Sequence, residues 1–170
     1  NLAKGGRAGV IIPEGVLFRG GPDQKVRKEL LEQFNVHTIL SLPAGCFLPY
    51  TGVKTNVIFF DRPKDGKATE SVWYYELTND GFDLKSTRKP IEGNQIPHFL
   101  NDWTKRVEGE NSWTMPLNDI IEHGYDLSAH NPNRKDDYEH RPALELVQSI
   151  KAKEERIMDL LSELEVILEK

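Results

Sequence analysis

Few residues of this chain carry chemistry by type and spacing. Cys46 is the single cysteine. A thiolate nucleophile needs a nearby His or a cationic helix end to lower its pKa; neither is indicated around Cys46, which therefore reads as a loop or core residue. One cysteine also excludes an intramolecular disulfide and fits a reducing cytoplasm. His123, His130 and His140 are too loosely spaced, and lack a second ligand type at recognised intervals, to argue for zinc, and they read as surface or turn histidines. Gly5, Gly6 and Gly9 precede their strand, whereas a phosphate-cradling turn follows one, so they read as the turn that introduces it. Trp73, Tyr74 and Tyr75 could stack on bases, yet alternation along a strand makes them core and rim. Lys85, Arg88 and Lys89 form a small basic cluster that reads first as a solvated loop and second as a phosphate contact.

The elements that must position such residues are clearest from Gly5 to Asp61. Ala8 to Pro13 is a short unbroken apolar run of the kind buried on both faces of a mostly parallel sheet. Pro22 and Asp23 open a helix, Asp23 as its N-cap, with Val26, Leu30, Leu31 and Phe34 on the face toward the sheet. Val36 to Leu42 is the next strand, and a strand-helix-strand connection of this length favours a parallel pair with a right-handed crossover. A Gly/Pro loop then leads to a third strand, Thr55 to Asp61.

Past Asp61 the composition shifts. Ser71 to Leu77 reads as an aromatic strand returning along the sheet or starting a small extension. Asn79-Asp80-Gly81 is a tight-turn signal which, with Phe82 to Lys85, predicts a hairpin. Gln95 to Val107 predicts an amphipathic helix with Phe99, Leu100, Trp103 and Val107 near one face, ended by Gly109. Ser112 to Met115 reads as a short strand, and Leu117 to Glu122 as a short helix closed by His123-Gly124. From Pro142 to Lys170 the chain reads as one long helix. There Val147, Ile150, Ile157, Leu161, Leu164 and Leu168 follow the three-four spacing of a heptad seam, interrupted at Glu154 and widened by Leu160 and Ile167.

Size and charge bound the rest. A chain of 170 residues holds one ordinary domain, or a small one with an appendage, and 38% hydrophobic content allows a core. The formal net charge of -5 argues against an independent nucleic-acid binder, because nonspecific affinity comes from lysine and arginine neutralising phosphates. No signal peptide or membrane-length apolar run is present, which predicts a soluble cytoplasmic protein without membrane contact. The start at Asn1, a few residues before a strand, suggests a piece of a larger protein.

The order and wording of RAGVIIPEGVLF (Arg7 to Phe18), VRKELLEQFNVHTILSLP (Val26 to Pro43) and GCFLPYTGVKTNVIFFD (Gly45 to Asp61) resemble the C-terminal half of the catalytic domain of N6-adenine DNA methyltransferases. The resemblance is closest to the modification subunit of type I restriction-modification systems, and GYDLSAHNPNR (Gly124 to Arg134) adds to it. It implies an α/β fold: the C-terminal half of a Rossmann-like class I methyltransferase sheet, with strands five and six and an antiparallel strand seven between them. A small α+β extension and a long C-terminal helix would follow. The implied divisions are residues 1–65 for the half-domain, 66–140 for the extension and 141–170 for an interaction helix.

The implied activity of the parent is methyl transfer from S-adenosylmethionine to the N6 nitrogen of adenine in DNA. Neither the cofactor turn nor the family's catalytic Asn or Asp followed by two prolines and an aromatic is found in this stretch. Asn131-Pro132-Asn133-Arg134 lacks the second proline and the aromatic, and reads as a turn. The fragment alone is thus expected to bind no cofactor and to be inactive. Enzymes that act on a base within a duplex flip it out and receive it between apolar or aromatic surfaces. By its place in GCFLPYTG, Phe47 would be the receiving aromatic, with Tyr50 as runner-up; the other reading is that Phe47 packs under its own loop. Lys54 is either a phosphate contact or an exposed lysine opening a strand.

The resemblance implies that the heptad helix approaches the helical spacers of a DNA-specificity subunit, with a restriction subunit completing the complex. Packing on the parent domain or self-association is the plainer reading of the same seam. Two other readings remain: a non-catalytic protein-interaction module using the C-terminal helix, and an unrelated nucleotide-binding fold.

Overall fold

The computed structural model describes residues 2–128, 130–134 and 143–168. The chain divides into two compact units, Asn1–Arg134 and Lys135–Lys170. The first is built on a five-stranded sheet in the order β1-β3-β2-β4-β5, where β1 is Arg7–Pro13, β2 Asn35–Ser41, β3 Thr55–Asp61, β4 Ser71–Glu76 and β5 Ser112–Pro116. Its helices are α1 (Gly15–Phe18), α2 (Pro22–Gln33), α3 (Ile96–Trp103) and α4 (Leu117–Glu122). In the second unit, α5 spans Ala143–Leu168. His140 and the ends of the expected terminal helix, Pro142, Glu169 and Lys170, lie outside the described residues, as does the side chain of Ile167.

The strand order implied by the resemblance is the one found. β3 runs antiparallel to both β1 and β2, with Ile58 opposite Val10 on one side and Ile39 on the other. β1 and β2 therefore point the same way without touching, because β3 fills the gap a simple crossover would close. β2 absorbs one extra residue at His37: Val36 pairs with Phe60 and Thr38 with Phe59. Such a bulge flips the faces presented on either side of it.

Beyond β2 the sheet continues. β4 pairs parallel to it, Ile39 opposite Tyr74, and β5 pairs antiparallel to β4, Tyr74 opposite Trp113. Of the two readings of the aromatic run, the one that returns it along the sheet holds. Its side chains are not core and rim, however: Val72, Trp73, Tyr74 and Tyr75 are all buried, so β4 is covered on both faces. One layer gathers Leu31, Ile39, Val72, Tyr74 and Ile120; the other gathers Leu40, Trp73, Tyr75 and Phe99.

Several local expectations are corrected. β1 is not buried on both faces: it is an edge strand, and Val10 and Ile11 are 43% and 55% exposed. The N-cap of α2 is Gly21, with φ +68°, not Asp23, and Pro22 takes the first helical turn; a residue with no Cβ adopts that φ without strain. Val26 faces solvent, and Arg27 and Leu31 are the buried pair one turn apart. Arg27 is kept inside by three backbone acceptors, Tyr125 O at 2.6 Å from Nε and Val16 O and Arg19 O each 2.8 Å from Nη1. The residues after Asn79 form no hairpin, only an isolated bridge between Phe82 and Pro90. α3 stops at Trp103, so Val107 is not on the helix, and Leu100 points outward.

Candidate base-facing loop

β1 and β2 end, and β3 begins, at one edge of the sheet. In open α/β sheets the crevice outside the carboxyl ends of the parallel strands is where ligands bind. The loop of residues 42–54 occupies that position. It is closed at its base by Leu42 N donating to Thr55 O at 3.0 Å. Inside it, short backbone bonds wind successive turns: Cys46 N to Pro43 O, Leu48 N to Gly45 O, and Tyr50 N and Thr51 N both to Phe47 O. Gly45 has φ +86°, and a Cβ there would meet Leu48 Cδ1 at 3.1 Å. The peptide between Leu48 and Pro49 is cis.

Within this loop the candidate residues separate by exposure. Tyr50 is 93% exposed at the tip, whereas Phe47 is half-buried. Cys46 is buried, its Sγ 3.8 Å from Thr55 Oγ1, in keeping with a core role. Lys54 places its Nζ 2.9 Å from Glu14 Oε1, and its carbonyl accepts from Glu14 N at 3.0 Å. That double contact links the start of β3 to the end of β1, and the ammonium is engaged by a carboxylate rather than left for a phosphate.

The basic cluster is also not simply solvated. Arg88 Nη2 donates to both Asp80 carboxylate oxygens at 2.6 Å, Nη1 donates to the carbonyl of Cys46, and the guanidinium lies 5.4 Å over the Phe82 ring. The hydrogen bonds to Asp80 hold the guanidinium pKa above its ordinary value. No local sequence signal marks this contact, since Arg88 and Cys46 stand 42 residues apart.

The expected turn at Asn131 is present: Asn131 Oδ1 accepts from Asn133 N at 2.9 Å, and its Nδ2 donates to Glu110 O at 2.8 Å. The second of these bonds fastens the turn to the connection before β5. Gly5 and Gly6 do not form a phosphate-cradling turn. Gly5 N donates to Arg62 O at 2.6 Å and Gly6 N to Ala3 O at 2.8 Å, so both amides serve the turn into β1. Among the described residues no group of three or more His, Cys, Asp or Glu could hold a metal ion, and no helix is long and apolar enough to cross a membrane.

In the second unit, the seam residues Val147, Ile150, Ile157, Leu161, Leu164 and Leu168 lie along α5 with 48–82% of each side chain exposed.

Comparison with known proteins follows the same lines. A family model described as N-6 DNA Methylase matches residues 1–141. The chain is similar to the methylase subunit of the type I restriction enzyme EcoEI from Escherichia coli, 35% identical over 175 residues, which cover 98% of this chain and 35% of that protein. It is also similar to the EcoKI methylase subunit from Escherichia coli strain K12, 44% identical over 115 residues, covering 64% of this chain and 20% of that one. Among solved structures, a modification subunit assigned to a type I restriction enzyme of Vibrio vulnificus YJ016 superimposes with a TM-score of 0.67 at 38% identity, over 81% of this chain and 29% of that one. The chain thus spans about a third or less of the length of these relatives. With the family model matched across residues 1–141 and the strand order agreeing, the chain belongs to the N-6 DNA methylase family.

Proposed function

We propose that this chain is part of the modification subunit of a type I restriction-modification system, whose whole enzyme methylates the N6 nitrogen of adenine in DNA with S-adenosylmethionine as donor. The observation that carries the reading is β3 lying antiparallel between β1 and β2, with the 42–54 loop leaving the sheet at their carboxyl ends. The cofactor and the group that holds the adenine amino nitrogen belong to other parts of the enzyme. This segment supplies a surface for the extruded base: Phe47 stacks on the adenine, and Tyr50, at the exposed tip, is the second aromatic within the loop. A base stacked on an aromatic gains about 1–3 kcal/mol, which holds it without choosing its identity. With a net charge of -5, the segment adds little nonspecific attraction, so DNA is held chiefly by the rest of the assembly.

The apolar seam of α5 is the surface offered to the DNA-specificity subunit, in a cytoplasmic complex completed by a restriction subunit. An isolated helix of this length does not keep such a stripe in water without a partner.

In the full-length enzyme, Phe47→Ala should weaken productive DNA binding roughly tenfold, the share expected of one stacked base, and leave S-adenosylmethionine affinity alone. Unchanged methylation kinetics would remove the stacking role. Leu161→Asp with Leu164→Asp should abolish co-purification with the specificity subunit. The exposed seam also favours a second reading, a pure interaction module; assembly lost with the α5 changes while Phe47→Ala is silent would select it.

A further inference from the structure

The 42–54 loop contains no helix or strand; its own backbone bonds wind its turns, and the carbonyl that precedes Phe47 accepts from outside it. We infer that Arg88 is the positioning residue for Phe47, gripping the loop through the carbonyl of Cys46 while anchored on Asp80. The inference rests on the stacking role proposed for Phe47. The Cys46 carbonyl belongs to the peptide that enters Phe47, so the bond from Arg88 Nη1 sets the plane from which that side chain departs. The other half of the fork is closed on Asp80 by two bonds of 2.6 Å, and the pair is sheltered, with 19% and 16% of the side chains exposed. A planar guanidinium can serve a carboxylate and a carbonyl at once in a fixed geometry; a lysine ammonium cannot.

The anchor is itself held. Leu77 N donates to Ser41 O at 2.9 Å, so the segments after β4 and β2 leave the sheet side by side. Gln95 Oε1 then accepts from Thr78 N at 2.8 Å and Asn79 N at 3.1 Å, and Asn79 Nδ2 donates to Glu92 O at 2.9 Å. The 79–95 segment is thus a braced arm with Arg88 on it, and the 42–54 loop hangs from that arm at the residue before Phe47.

The test uses the full-length modification subunit assembled with its specificity subunit, and a duplex carrying its recognition site. Arg88→Met should raise amide hydrogen exchange across residues 44–51 and lower kcat/KM for DNA on the order of tenfold, as expected when a positioned group loses its geometry. S-adenosylmethionine affinity should stay unchanged. Arg88→Lys should recover only part of the loss, and Asp80→Asn should act in the same direction more weakly, which covers the case that Arg88→Met folds poorly. In a Phe47→Ala background, Arg88→Met should cost nothing further, because its effect passes through that ring. Unaltered exchange at 44–51, or a full additive loss in the double variant, would overturn the inference. If Phe47→Ala alone is silent, the stacking role falls, and the exchange result still decides whether Arg88 holds the loop.

Discussion

β1 and β4 are strands of one sheet with opposite surroundings. In β4, Val72 and Trp73 are 0% exposed and Tyr74 and Tyr75 are 3% exposed, while in β1 Val10 and Ile11 keep 43% and 55% of their surface in water. The difference is not in apolar character. β4 has a strand on each edge and a packed layer on each face, with Phe99 of α3 stacked near Trp73 on one side and Trp113 stacked 5.2 Å from Tyr74 on the other. β1 has β3 on one edge and no partner on the other among the described residues. A long exposed apolar edge is what proteins normally cover or blunt, so the comparison separates a completed part of the sheet from one that calls for cover.

The largest effect expected from this contrast is at Trp73. Trp73→Ala would empty a fully enclosed site and lose the indole bond to Val107 O, costing about 3–5 kcal/mol. Urea unfolding would show it as a lower midpoint at nearly the same slope. Ile11→Ser in this chain should stay within about 0.5 kcal/mol, as surface changes do. In the full-length enzyme the same change should cost about 1–3 kcal/mol, the value of burying such a side chain. Equal costs in both settings would break the idea that β1 is covered there.

Arg27 sharpens the comparison from α2, where it meets the backbone of α1, of Arg19 just past it, and of Tyr125 after α4. Arg27→Met keeps much of the volume but strands the carbonyls of Val16, Arg19 and Tyr125 without their donor. Burial pulls its guanidinium pKa down, opposed by Asp126 and Asp23, and only 3% of the residue is exposed, so the carbonyls left behind have little access to water. A destabilisation of about 3 kcal/mol is expected, again read from the unfolding midpoint; a change near zero would mean that water replaces the donor.

Local patterns in the chain foretell some of these features and not others. The order of β1, β3 and β2 is legible only through the family resemblance, since the strand-helix-strand pattern alone favours β1 and β2 as a paired parallel set; α4 is legible from its own residues, because Leu117 to Glu122 carries its stop at His123-Gly124. The burial of β1 is not legible, since an apolar run states a preference while the number of neighbours is set by the rest of the fold. By its type Val26 belongs on the inner face of α2, yet a cation with three backbone acceptors takes that place one residue along. The loop carrying Phe47 and Tyr50 was identifiable from its own residues, but the grip of Arg88 was not, because it joins segments distant in the chain. Likewise Asn79-Asp80-Gly81 does make a turn, with Gly81 at φ +88°, but the bonds that follow go to Gln95, Glu92 and Arg88 instead of a second strand.

β2 has a strand on each edge, as β4 does, and smaller effects are expected around its bulge, where His37 is only half-buried. The indole of Trp103 donates to Thr38 Oγ1 at 2.9 Å while its ring packs 4.8 Å from Phe59. Trp103→Phe keeps most of the packing and deletes the bond, so about 1 kcal/mol should be lost. The same hydroxyl lies 2.9 Å from His37 Nδ1, at the bulge. Loss well above that figure would show that Thr38 couples the two rings rather than serving each alone.

His37 gives the smallest effect and a direction that can be read without mutation of the core. Burial lowers its pKa, the Arg106 cation lowers it further, and Asp61 only partly opposes them. The folded chain therefore takes up a proton at His37 less readily than the unfolded chain does. As pH falls through the ordinary imidazole value of 6.5, the unfolded state binds the proton first and stability declines; the decline from this group ends once the folded state is protonated as well. His37→Gln, which keeps a polar side chain beside Thr38, should flatten that part of the curve and leave the plateau above the imidazole range nearly unchanged. The measurement is the urea midpoint of parent and variant at several pH values on both sides of 6.5. Identical slopes would mean that the half-buried position of His37 leaves it as free to charge as it is in the unfolded chain, and that the sheltered character of β4 stops short of the bulge.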